Sequence, residues 1–243
     1  MEFLSPPFWV AAFQIIVINI LLSGDNAVVI ALACRNLPPA QRRWGIIWGA
    51  VGAIVLRIIL TFFAVQLLEL PYLKTIGGVL LLWIGVKLIA EDEGDGPEIK
   101  ASDRLFAAVK TVIVADLVMS VDNVIAIAGA AQGAGEGHQM PLVIFGLLVS
   151  IPIIVWGSQL VIKLMDKFPL IITLGGMLLG WIAGTMLISD PAVVRPDAWT
   201  WVPKIPQTDT IKYAAGIAGA LLVLVIGKMV AARRPKVTHA PGV

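Results

Sequence analysis

Long apolar runs, separated by short polar or proline-containing stretches, dominate this chain. An apolar run of about 20 residues is long enough to cross the hydrocarbon core of a bilayer as one helix. By this criterion the pattern predicts seven transmembrane spans, at residues 8–33, 44–68, 72–90, 105–131, 141–164, 169–189 and 210–232. The chain is therefore predicted to be an all-α polytopic membrane protein with seven transmembrane helices.

The polar residues inside the first and fourth predicted spans form the same motif. The first span contains Ser23-Gly24-Asp25-Asn26, and the fourth contains Ser120-Val121-Asp122-Asn123. When Asp122 is placed on Asp25, the alignment extends beyond the motif through three spans. Its further matches are Gly49 with Gly146 and, after one inserted residue, Gly77-Gly78 with Gly175-Gly176 and Trp83-Ile84 with Trp181-Ile182.

The repeat defines two three-helix units, residues 8–90 and residues 105–189. Because three is an odd number, the second unit enters the membrane from the opposite side, as in the inverted-topology repeats of many transporters. The seventh helix, 210–232, is an extra element outside the repeat. The other segments are predicted to be an acidic cytoplasmic loop at 91–104, an extracytoplasmic linker at 190–209 and a cytoplasmic tail at 233–243.

Basic residues predict the orientation of these spans. One set of span ends carries most of the lysines and arginines, including Arg42, Arg43, Arg104, Lys163 and Arg233. The opposite ends carry only Lys74, Arg195, Lys204 and Lys212. Since cytoplasmic loops are enriched in Lys and Arg, the N-terminus is predicted to lie outside and the C-terminus in the cytoplasm.

Composition places the function inside the membrane. The chain is 58% hydrophobic and 14% charged, with a mean hydropathy of +0.91, which leaves little soluble mass. A net charge of +2 does not indicate a nucleic-acid partner. The one cysteine, Cys34, excludes an intramolecular disulfide and a multi-cysteine metal site. Both histidines, His138 and His239, lie outside the spans, so a bound metal would meet mostly oxygen ligands.

The motif carboxylates are the best candidates for a binding site. Placing one aspartate at the centre of a membrane helix costs about 2.5–3.5 kcal/mol on insertion scales, so such residues usually have a function. The predicted metal ligands are Asp25, Asn26, Asp116, Asp122 and Asn123, and further site-lining candidates are Asn19, Ser23, Ser120 and Glu69. The structural alternative is that the aspartates pair with buried cations or form hydrogen bonds between helices.

Arg57 lies near the middle of the second predicted span and needs a partner there. One hypothesis is that Arg57 pairs with Asp25 or Asp116 when the site is empty, or acts as a gate. The alternative is a purely structural ion pair. The sequence by itself favours neither.

The two motifs, each on the first helix of an inverted half, resemble the TerC family of integral membrane proteins. The resemblance covers residue 8 to about residue 230, in the form of the family without appended soluble domains. It implies membership of the LysE-type transporter group, a bacterial inner (plasma) membrane location and export of a divalent metal, with Mn²⁺ as the best-supported substrate. Carboxylate, amide and carbonyl oxygens suit Mn²⁺ and also Ca²⁺.

The favoured function is therefore a secondary transporter that exports Mn²⁺ through a midplane site of paired aspartates, with proton antiport as the candidate coupling. The sequence contains no P-loop motif that would indicate direct drive by ATP. No prosthetic group is expected. The alternative is a membrane component of metal or tellurite stress resistance, or of membrane-protein assembly, without transport activity. A small organic substrate ranks below both. Oligomeric state stays open.

An enzymatic function is not expected. Two membrane aspartates can share a proton, as in aspartic proteases. However, Leu22-Ser23 precedes Gly24-Asp25, and Val121 precedes Asp122, so the glycine–aspartate signature of the intramembrane proteases is not matched. The lipid bilayer and the metal ion are the predicted partners.

Overall fold

The computed structural model of the chain describes residues 9–10, 13–14, 16–17, 24–63, 70–90, 101–132, 139–194 and 205–233. Within its helices, the side chains of residues 101, 121–122, 124–132 and 139–140 are outside this description. All structural statements below refer to the described residues.

Besides short helical pieces at residues 9–10, 13–14 and 16–17, the described chain forms seven continuous helices and one additional helical turn. The helices are α1 (Gly24–Cys34), α2 (Pro39–Phe62), α3 (Leu73–Ala90), α4 (Ala101–Gln132), α5 (Gln139–Lys167), α6 (Leu170–Ile188) and α7 (Asp209–Arg233). The single turn spans Pro191–Val194. Each predicted span overlaps one of the seven helices, and the described ranges contain no β-strand. The regular structure of the described residues is therefore all-helical, as predicted.

Five of these helices are long and apolar enough to cross a membrane: α2, α3, α5 from Pro141 onward, α6 and α7. The described part of α1 is a shorter apolar helix of 11 residues. Helix α4 has 32 residues and begins with a polar turn that includes Asp103. The total of seven spans and the inverted repeat therefore stay predictions.

The helices pack as two groups that share one core. In the first group, α2 packs against α4 and α5, and α1 packs against α4 and α5. In the second group, α3, α6 and α7 contact one another. Buried side chains such as Leu32, Leu81 and Val118 join the two groups into one hydrophobic cluster. This arrangement places the polar stretches of α1, α2 and α4 on neighbouring helices.

Helix α3 is held at both ends by buried charged side chains. At its N-terminus, the Asp190 carboxylate accepts hydrogen bonds from the backbone N–H groups of Tyr72 and Thr75, each at 2.9 Å. At its C-terminus, Nη2 of Arg35 donates to the carbonyl oxygen of Leu88 at 2.8 Å. An anion at the N-terminus and a cation at the C-terminus both complement the helix dipole. The two contacts fix α3 along its axis.

Asp190 also caps the helical turn that follows it. Its Oδ1 accepts a hydrogen bond from the N–H of Ala192 at 2.8 Å. Burial by itself raises the pKa of this carboxyl, but the backbone hydrogen bonds from Ala192, Tyr72 and Thr75 outweigh burial and lower the pKa below its ordinary value. The same bonds hold Tyr72 in the left-handed region, at φ 65°, which is uncommon for a bulky residue.

Candidate functional site

Arg57 on α2 is the centre of a charged cluster inside the helix bundle. Its side chain is 1% exposed, and Nη2 donates to Oδ1 of Asp116 on α4 at 2.5 Å. Nε of Arg57 donates to Oγ of Ser120 at 3.1 Å, and that hydroxyl donates to Oδ2 of Asp116 at 2.9 Å. Both carboxylate oxygens of Asp116 are therefore engaged by protein groups.

The local sequence explains why these groups meet. Asp116 and Ser120 are four residues apart on α4, so they lie on one face of the helix. On α2, the hydroxyl of Thr61 donates to the carbonyl oxygen of Arg57 at 2.8 Å, again four residues away. A Cβ added to Gly49 of α2 would lie 3.1 Å from Val112 of α4. The absent side chain lets α2 approach α4 closely enough for the charged contact.

Asp25, in the first motif, lies close to this cluster. Its carboxylate is partly buried and has electrostatic interactions with both Arg57 and Asp116. Its Oδ1 accepts a hydrogen bond from the N–H of Asn26 at 2.7 Å, and Asn26 itself is buried. The structure therefore brings the first motif, Arg57 and Asp116 together from three helices.

The second motif is described in part. Ser120 and Asn123 are buried on α4. Nδ2 of Asn123 has no hydrogen-bond partner within the ranges that the structure describes. Since the oxygen and nitrogen of an amide can be exchanged by a half-turn, this group can offer either a donor or an acceptor. The side chain of Asp122 lies outside the description, so its predicted pairing with Asp25 stays a prediction.

Other predicted site residues also fall outside the described residues, namely Asn19, Ser23 and Glu69. The described side chains contain no group of three or more His, Cys, Asp or Glu residues that could hold a metal ion. Asp25 and Asp116 are the two predicted carboxylate ligands whose positions are known. The metal-ligand assignment for the whole set therefore stays a prediction.

Ser158 on α5 is a polar residue that the sequence analysis did not select. It is fully buried, and its Oγ has no partner among the described residues. The neighbouring Gly157 faces Ala27 of α1, because a Cβ on that glycine would lie 3.6 Å from the Ala27 side chain. When Asp122 is placed on Asp25, Ser158 aligns with Thr61. Carrying the repeat alignment through the second helix of each unit would have identified it.

Comparison with known proteins agrees with the resemblance seen in the motifs. The family model described as "Integral membrane protein TerC family" matches residues 4–235. The uncharacterized membrane protein YjbE of Bacillus subtilis is 44% identical over 183 residues, which are 75% of this chain and 81% of YjbE. The uncharacterized membrane protein YceF of the same organism is 26% identical over 74% of this chain and 71% of its own length.

The name of a more distant relative includes its location in the inner membrane. The UPF0053 inner membrane protein YgdQ of Escherichia coli is 27% identical over 53% of this chain and 61% of its own length. No solved structure matches this chain. The expected family resemblance is confirmed over nearly the whole chain.

Proposed function

Because this chain belongs to the TerC family of multi-pass integral membrane proteins, we propose that it is a secondary transporter that exports a divalent cation, with Mn²⁺ as the favoured ion. The observation that carries this proposal is the convergence of Asp25 with the buried Arg57–Asp116 pair between apolar helices. Ionisable groups at membrane depth are costly and are usually found on ion pathways.

The proposed ligands are Asp25 and Asp122, with the amide oxygens of Asn26 and Asn123. Two carboxylates neutralise a divalent cation, and hard oxygen ligands suit Mn²⁺, Ca²⁺ and Mg²⁺. Asp116 is a weaker candidate than the sequence suggests, because Arg57 and Ser120 already occupy both of its oxygens.

Contacts between the third helices of the two units support the inverted repeat. A Cβ on Gly78 of α3 would lie 3.0 Å from the carbonyl oxygen of Ala183 on α6. A Cβ on Gly176 of α6 would lie 3.3 Å from the carbonyl oxygen of Gly85 on α3. In the repeat alignment Gly78 corresponds to Gly176, and Gly85 corresponds to Ala183. Replacing each residue by its counterpart in the other unit therefore turns one contact into the other, as expected for two units related by a two-fold axis.

The helix pairs of the first group show the same symmetry. Helix α2 packs against α4, and its counterpart α5 packs against α1. Relative rocking of two such halves around a midplane site is a general means of alternating access. Proton antiport would supply the driving force, because a carboxylate that releases a cation can accept a proton.

The test is the manganese content of a manganese-sensitive bacterial host. Cells would express the wild type, Asp25→Asn, Asp122→Asn or an empty vector, with a panel of other metals measured alongside. Asp103→Asn is the matched control, because it removes one carboxylate from an exposed position at the start of α4. Immunoblots of membranes would verify equal amounts of protein.

We expect the wild type and Asp103→Asn to lower cellular manganese, and both motif variants to return it to the level of the empty vector. A fall in a different divalent metal would keep the export mechanism and change the substrate. If no metal changes while the wild-type protein is present in the membrane, the transport proposal is wrong. The alternative role in stress resistance or membrane-protein assembly would then be favoured.

A further inference from the structure

The charged pair at the centre of the bundle joins the two repeat units, because Arg57 lies in the first unit and Asp116 in the second. When Asp122 is placed on Asp25, Asp116 aligns with Asn19, and Arg57 aligns with Ile154. The surrounding polar positions keep their chemistry in both units: Ser23 with Ser120, Asp25 with Asp122, Asn26 with Asn123, and Thr61 with Ser158. The pair thus takes one charged residue from each unit, and the two equivalent positions, Ile154 in the second unit and Asn19 in the first, are both uncharged.

This joint replacement suggests that the two charges depend on each other. We propose that Asp116 is the permanent counterion of Arg57 and not a ligand of the transported ion. In this role the pair clamps α2 to α4 beside the second motif and thereby positions that motif. The inference rests on the proposed transport function, because it assigns the roles of residues at that same site.

The contacts of the pair support a positioning role. Arg57 and Asp116 are 1% and 3% exposed, so neither charge is neutralised by solvent. Ser120 accepts from Arg57 and donates to Asp116, which ties the three side chains into one closed set of hydrogen bonds. Ser120 is the first residue of the second motif, and the buried Asn123 follows one turn later on α4. The clamp therefore sets the position of this motif relative to α2.

The charge balance of the site follows from the same pairing. Asp116 and Arg57 cancel each other, so Asp25 and Asp122 are the motif carboxylates left to balance an ion. Two negative charges match a divalent cation. If Asp116 were instead a third ligand, Arg57 would lose its counterion whenever the ion bound, and a buried unpaired charge is strongly unfavourable.

The experiment compares Arg57→Ile, Asp116→Asn and the double variant Arg57→Ile/Asp116→Asn with the wild type. The double variant gives each position the residue type of its counterpart in the other unit, namely Ile154 for Arg57 and Asn19 for Asp116. Two measurements are made on each protein: the melting temperature after purification in detergent, and the manganese content of expressing cells. Asp25→Asn serves as the control for loss of a proposed ligand.

Removing one partner of a buried ion pair is far more damaging than removing both. We therefore expect each single variant to melt at a lower temperature and to lose export, and the double variant to regain both in large part. Asp25→Asn is expected to lose export while its melting temperature stays near that of the wild type.

Two results would overturn the proposal. One is a double variant that melts like the wild type and yet exports no manganese, which would show that Asp116 or Arg57 is needed for transport itself and not only to balance the other charge. The other is an Asp116→Asn variant that melts and exports like the wild type. If the wild type itself exports nothing, the transport function fails, and the melting temperatures alone still decide whether the two charges depend on each other.

Discussion

At the scale of single residues, burial decides which partner a charged side chain takes. An arginine inside a membrane helix needs a counterion, and one hypothesis from the sequence was that Arg57 pairs with Asp25 or Asp116. The structure pairs Arg57 with Asp116, because α2 packs directly on α4 and the face carrying Asp116 also carries Ser120. Asp25 interacts with the same arginine without a hydrogen bond between them in the described structure.

Asp190 is the clearest residue that sequence reasoning missed. It was assigned to the beginning of a linker, because it follows an apolar span and precedes Pro191. In the structure it is fully buried and joins the end of α6 to the beginning of α3. Because the contact joins residues that are far apart in the chain, no local sequence pattern predicts it.

We predict that Asp190→Ala and Asp190→Asn both destabilise the protein. Hydrogen bonds to a charged group contribute about 1.5–3 kcal/mol each, and the neutral amide of asparagine is a weaker acceptor for three N–H donors. The expected result is a lower melting temperature in detergent, with the larger decrease for alanine. Asp209→Asn, at an exposed position, is the control and should melt like the wild type.

The same carboxylate predicts a pH dependence. Because its pKa is lowered in the folded protein, the stabilisation is fully present above the unfolded value of about 3.9 and is lost as the pH falls through the lower folded value. The difference in melting temperature between the wild type and Asp190→Asn should therefore be constant near neutral pH and shrink below about pH 4. A difference that grows in acid would contradict this assignment.

At the scale of helices, glycines determine how closely α3, α6 and α7 approach one another. The glycine pairs Gly77-Gly78 and Gly175-Gly176 match each other in the repeat, and Cβ atoms at these positions would crowd neighbouring helices. The structure adds an interface between α6 and α7 that lies outside the repeat. There, Gly180 and Gly184 of α6 face the backbone of α7 around Ala215 and Gly219. Small residues at such positions allow the backbones of membrane helices to come into contact.

We predict that Gly184→Ala destabilises the protein, whereas Gly157→Ala does not. A Cβ at Gly184 would overlap the carbonyl group of Ala215, and overpacking of this kind typically costs about 1–3 kcal/mol. A Cβ at Gly157 would make an ordinary contact with Ala27 at 3.6 Å. Since alanine also favours helices, that variant should be neutral or gain up to about 1 kcal/mol.

Melting temperatures of the two purified variants in the same detergent provide the measurement. Both substitutions add one methyl group to a membrane helix, so they differ only in what that group meets. Equal melting temperatures would mean that α6 and α7 separate readily, and would contradict the close packing of this pair.

At the scale of the whole molecule, orientation in the membrane is predicted by charge alone. Arg233 ends α7 on the side rich in basic residues, and Lys212 lies in the first turn of the same helix on the other side. Both side chains are exposed. The two ends of one helix thus provide a matched pair of probes.

We predict that Lys212→Cys reacts with a membrane-impermeant maleimide in intact cells, and that Arg233→Cys reacts only after the cells are permeabilised. Both would be made in a Cys34→Ser background, because Cys34 is the one native cysteine, and it is buried. The reverse labelling pattern would show that the orientation is opposite to the predicted one, with the C-terminus outside.

The sequence by itself determined the all-helical membrane architecture, the approximate helix positions and the family. These properties follow from local patterns, since apolar runs of sufficient length must form helices whose backbone groups are satisfied within the segment. Charged residues inside apolar spans also identified Asp25, Asp116 and Arg57 as residues that need an explanation. Only tertiary packing decided that Arg57 pairs with Asp116, that Asp190 caps α3, and that α7 docks on the glycines of α6. Such contacts depend on which helix faces come together, and an apolar sequence does not specify those faces.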